Sequence, residues 1–148
     1  MAKAKQYLRL RIGGAEYLLP GATGYAIEQR ENLGGVEDAA GPLVAWRTVR
    51  GRRQPAYALD GALRPAARRD WQRAVFIESS PGQGAGFVAD DVHMLPESEI
   101  TVASFEPLGS PPTSAGHLFG GAWLADKRVV LVFEPRALVA YLQSLEGA

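Results

Sequence analysis

The residues able to do chemistry in this chain are few and scattered. It has only two histidines, His93 and His117. Asp90-Asp91-Val92-His93 sets carboxylates beside one of them. Successive residues of an extended segment point to opposite faces, so these three cannot all converge on one ion, and no second histidine lies nearby. His93 is therefore expected at the surface, and no metal site is implied. Ser79-Ser80 and Ser110 are hydroxyls without a G-x-S-x-G elbow or a histidine in triad context. Glu97 and Glu99 could in principle divide acid and base roles, but two carboxylates in a turn are ordinarily solvated. Gly82-Gln83-Gly84-Ala85-Gly86 has the glycines of a phosphate cradle. It leads into a strand pattern rather than a helix, so no helix N-terminus is at hand to hold an anion. The absence of cysteine excludes thiolate catalysis, zinc ribbons and disulfides. The expectation is a protein that is not an enzyme, with no catalytic residue and no cofactor.

The densest charge lies in Arg47-Thr48-Val49-Arg50-Gly51-Arg52-Arg53, with Trp46 beside it. Arginine next to a stacking aromatic suits single-stranded nucleic acid. Against that, the chain has 16 basic and 16 acidic side chains and no net charge, whereas a binder that relies on counterion release is basic. Arginine and tryptophan are also the usual anchors of protein interfaces, and that reading is preferred. A nucleic-acid-binding module using the Arg47–Arg53 turn is the alternative. The neutral total hides an asymmetry: residues 1–74 hold 13 Lys/Arg against 7 Asp/Glu, and residues 75–148 hold 3 against 9. Such a split suits a protein that touches two partners, or one partner with patches of both signs.

The elements that must position these side chains read mainly as strands. Leu8, Leu10 and Ile12 alternate with Tyr7, Arg9 and Arg11, the period of a half-buried strand. Gly13-Gly14 makes a hairpin turn into a second strand over Ala15 to Leu19. Tyr25 to Glu28 makes a short third strand, and Asn32 to Pro42 a loop. Leu43 to Val49 and Pro55 to Leu59 are strands around the Arg50-Gly51 turn, and Ala62 to Trp71 is irregular. Ala74 to Ile77 and Gly86 to Ala89 flank a Ser/Pro/Gly turn as a hairpin, and Ile100 to Phe105 is a further strand before a Pro-rich loop at Pro107 to Gly116. Leu118 to Trp123 and Arg128 to Phe133 form a last hairpin, in which Val129 to Phe133 should be buried on both faces. Core packing is the simpler reading for Trp71 and Trp123, and it is preferred for Trp123, which ends an apolar strand. Glu134-Pro135 opens a helix whose Leu138, Tyr141, Leu142 and Leu145 make one apolar stripe.

With 148 residues, 47% hydrophobic and 22% charged, the chain suits one soluble domain. The N-terminus lacks a signal-peptide core, and no apolar run is long enough to insert in a membrane, so a cytoplasmic protein is expected.

Four segments, in order, resemble the CheW-like family, the coupling-protein fold of bacterial chemotaxis and related signalling arrays. YLRLRIGGAEYLL (Tyr7 to Leu19) is similar to the family's opening hairpin with its E-Y dipeptide. Val49-Arg50-Gly51 followed by Gln54-Pro55-Ala56-Tyr57-Ala58-Leu59-Asp60 resembles its N-L-R-G turn and P-x-x-D-L strand. Val75-Phe76-Ile77 with Gly86 to Val92 resembles the central hairpin ending in V-D-x-V, and Leu118 to Leu142 the terminal hairpin and helix.

The resemblance implies a mainly β fold of two intertwined small five-stranded β-barrels (SH3-like lobes) with a C-terminal helix, residues 1–148 forming a single CheW-like domain. It implies a non-catalytic adaptor whose partners are a histidine kinase regulatory domain and a chemoreceptor cytoplasmic tip, in chemotaxis or in pilus-based twitching motility. The family's partner-binding positions fall on Ile27, Arg50 and Gly51. The chain departs from the family at Thr48, where asparagine is usual, and at Ala26, where an acid is common. Asn32 to Gly41 is less apolar, Val92 to Ile100 is short, and Arg52 and Arg53 lengthen the basic turn.

Overall fold

In the computed structural model, the described residues are 6–21, 24–36, 41–67, 70–80, 83–104, 118–125 and 127–145. They form eleven strands and one helix. The strands are β1 (Gln6–Ile12), β2 (Ala15–Pro20), β3 (Tyr25–Gln29), β4 (Leu43–Val49), β5 (Arg52–Tyr57), β6 (Arg73–Ser80), β7 (Gln83–Ala89), β8 (Asp91–Pro96), β9 (Val102–Ser104), β10 (Phe119–Ala125) and β11 (Arg128–Phe133). The helix is α1 (Pro135–Ser144).

Two sheets result. One has the order β8-β1-β2-β11-β10-β9, the other β3-β6-β7-β5-β4. The chain leaves the first sheet after β2, builds the whole second sheet, and returns at β8, so the sheets interleave along the sequence. The mainly β, two-lobed plan read from the sequence is the one observed, with six strands rather than five in the first sheet.

Alternation explains where each strand buries. Leu8, Leu10 and Ile12 of β1 are buried, as are Val75, Ile77, Ala85, Phe87 and Ala89 of the second sheet. They meet in a shared core with Tyr17, Phe133 and the helix residues Leu138, Val139, Leu142 and Leu145. Phe133 lies 5.1 Å from Tyr17 and 6.3 Å from Phe87, centroid to centroid, and so joins the two sheets. Each fully buried leucine on α1 contributes about 1.5–3 kcal/mol, enough to hold a ten-residue helix that would be marginal alone. Glu134 caps it by accepting a hydrogen bond from the Ala137 amide at 2.8 Å, with Pro135 in the first turn.

Each sheet keeps a second, smaller core on its other face. Leu18, Ile100, Val130 and Val132 gather on the first. Ala45, Ala56, Trp71, Ala74, Phe76 and Val88 gather on the second. Trp71 is buried, whereas Trp123, the tryptophan preferred for the core, only half-buries against the first of these clusters.

Three expectations need correction. β8 was not foreseen, because Asp91-Val92-His93-Met94 is an edge strand with little buried on either face and so shows no clear apolar period. β11 is not buried throughout: Val129 is 59% exposed and sits opposite Leu124, itself 73% exposed, beside the turn of the hairpin. β5 begins at Arg52 rather than Pro55, so the β4–β5 hairpin closes through only two residues. The Pro107 to Gly116 loop lies outside the described residues.

Candidate docking hairpin

β4 and β5 pair from Ala45↔Ala56 through Val49↔Arg52, leaving Arg50 and Gly51 as the turn. Both take positive φ, 51° and 79°. A two-residue turn with both central φ positive matches the right-handed twist of the strands, which is why Asn-Gly is its usual sequence. Gly51 meets that demand without strain. Arg50 does not, because its Cβ is crowded in left-handed backbone. Arg50 is exposed at the corner.

Ile27 lies on β3, opposite Val75 of β6, and is 37% exposed. β3 and β4 are the two edges of the five-stranded sheet. After β3 the chain makes a 3₁₀ turn over Arg30–Asn32 and crosses to β4, where Gly34 and Trp46 exchange both backbone hydrogen bonds at 2.8 and 2.9 Å. The edge carrying Ile27 is thus drawn toward the hairpin carrying Arg50.

Side chains reinforce this closure. Arg47 of β4 reaches Glu28 of β3 at 3.7 Å, donates to Gln54 Oε1 at 3.3 Å and lies 5.6 Å from the Phe76 ring centroid. Gln54 in turn donates to Glu78 Oε1 at 2.9 Å. Gln54 is the buried polar residue that the sequence reading passed over. The signal was present, since Gln54 shares its face of β5 with the buried Ala56. Within the basic stretch, Arg47 is therefore turned into the lobe. Trp46 is covered by Arg53, whose guanidinium lies 4.5 Å from the ring centroid. Arg50, Arg52 and Arg53 are exposed and make no ion pair among the described residues.

The other singled-out residues do not join this hairpin. His93 is at the surface, paired with Asp91 at 2.9 Å. That contact, opposed by partial desolvation and aided by Arg73, holds the Asp91 carboxyl below its ordinary 3.8. Asp90 instead accepts from the Gly13 amide at 2.9 Å. Glu97 and Glu99 sit in a 3₁₀ turn with no buried residue. Gly84 and Gly86 of the would-be phosphate cradle belong to β7 and have a packing reason: a Cβ on Gly86 would come within 2.6 Å of the Phe76 ring, and one on Gly84 within 2.7 Å of Gln54 Nε2. Ser110, His117 and Gly82 lie outside the described residues, as do the side chains of Ser79 and Ser80.

No protein-family model and no curated protein matches the sequence. Among solved structures, the chain matches the crystal structure of the scaffolding protein TtCheW from Thermoanaerobacter tengcongensis. The TM-score is 0.58 at 18% identity, over 90% of this chain and 86% of that one. The fold is CheW-like. At this identity the likeness is one of architecture. It bears out the two-lobed β arrangement and leaves the roles of Ile27, Arg50 and Gly51 to be argued from chemistry.

Proposed function

We propose that the protein is a non-catalytic signalling adaptor, acting as a single CheW-like domain over residues 1–148. It couples a histidine kinase regulatory domain, a chemoreceptor cytoplasmic tip, or both, in a chemotaxis or twitching-motility type pathway. The observation that carries this reading is Arg50, an exposed arginine at positive φ where asparagine or glycine would fold more easily. Strained backbone at an exposed corner favours a contact role over a folding role. A guanidinium there can engage a carboxylate or the carbonyls at a helix end through two parallel hydrogen bonds. Ile27 adds apolar burial on the adjoining edge, and Gly51 keeps the bend. The CheW-like architecture, shared with a scaffolding protein, supports an adaptor rather than an enzyme. No helix among the described residues is long and apolar enough to cross a membrane, and the proposed partners would place the protein in the cytoplasm.

Capture experiments with tagged wild type, Arg50→Glu and Ile27→Asp test this. Wild type is expected to retain the kinase or receptor and both variants to lose it, with melting temperatures unchanged. Equal capture by all three would refute the assignment of these residues.

A further inference from the structure

We infer that the β4–β5 hairpin recognises an acidic segment of a partner protein, and that Arg52, Arg53 and Trp46 set its preference for carboxylates alongside Arg50. This rests on reading the hairpin as a docking surface and names the chemistry of what docks there.

Three features converge. First, the charge on this hairpin is unspent. Arg9, Arg11, Arg47, Arg64, Arg73 and Arg128 all face a carboxylate of the fold, whereas Arg50, Arg52 and Arg53 face none among the described residues. Three exposed cations within four positions repel one another, and an anionic ligand relieves that repulsion. Second, Arg53 is already positioned. Thr48 pairs with Arg53 and Trp46 with Pro55, so Arg53 and Trp46 are diagonal neighbours on one face, and the guanidinium lies over the indole at 4.5 Å. Stacking fixes the plane of the guanidinium and leaves its N–H edges available, so less side-chain freedom is lost when a carboxylate binds. Third, Arg50 holds an unfavourable φ at the tip. Cationic anchors on a rigid two-residue turn suit bidentate recognition of carboxylates.

The same geometry favours protein over nucleic acid. A single strand would need a bare aromatic face for base stacking, and the Trp46 ring near the turn is covered by Arg53. Arg47, the fourth arginine of the stretch, is turned inward onto Glu28 and Gln54.

The test uses the full chain, wild type and Arg52→Gln/Arg53→Gln, with three fluorescent probes: a twelve-residue peptide rich in glutamate, its glutamine counterpart, and a dT oligonucleotide of matched charge. The expected result is that the glutamate peptide binds wild type, weakens with added salt, and loses at least about tenfold in affinity to the double variant. The glutamine peptide should not bind. Equal peptide affinity for wild type and variant would overturn the inference, as would tighter, arginine-dependent binding of the oligonucleotide. Kinase capture by the same two proteins separates this from the adaptor reading. Arginine-dependent peptide binding without kinase capture keeps the acidic-ligand inference and removes the adaptor. Kinase capture that is equal for both proteins, without peptide binding, does the reverse.

Discussion

Arg50 is where fold and proposed role pull apart. Its φ of 51° costs a non-glycine residue about 1–2 kcal/mol, and asparagine tolerates that region better. Arg50→Asn is therefore expected to stabilise the protein by up to about 1 kcal/mol, or roughly 2–4 °C in melting temperature, a gain visible by calorimetry. A lower melting temperature would mean that the arginine holds the fold, contrary to a contact role. The turn itself was legible in the sequence, because Arg-Gly between two apolar strands leaves few other conformations. Its strain was not, since the positive φ at Arg50 follows only from β5 starting at Arg52 and the turn shrinking to two residues.

Elements with a clear apolar period were readable from the sequence. β1 and α1 announce themselves by period, and both lie where the alternation puts them. β8 escaped notice because its residues are exposed or half-buried on both faces, so pairing with β1 rather than burial defines it. The link from β3 to β4 was equally hidden. It depends on Glu28, Arg47, Gln54 and Glu78, which are distant in sequence and become neighbours only once the second lobe curls. Arg47→Met keeps an unbranched side chain but removes the guanidinium that lies over Phe76 and leaves buried Gln54 without its donor. A loss of about 1–3 kcal/mol in denaturant unfolding is expected. Unchanged stability would show that the network does not hold these edges together.

At the scale of the molecule, the two sequence halves interleave. Each sheet takes strands from both, and the Arg73–Asp91 pair at 3.8 Å sets a cation of the basic half against an anion of the acidic one. Glu16 is held between cations: the hydrogen bond from Arg9 and the Arg128 guanidinium at 2.8 Å outweigh its desolvation and hold its carboxyl below the ordinary 4.5. What survives cancellation is local, and the β4–β5 hairpin is such a place. The most direct test is an NMR titration of the isotopically labelled protein with the histidine kinase regulatory domain from the same cells. The adaptor account predicts saturable shifts centred on Ile27 and on Arg50 to Arg53, absent in Arg50→Glu. Saturation without shifts at those residues, or no binding at all, would contradict it.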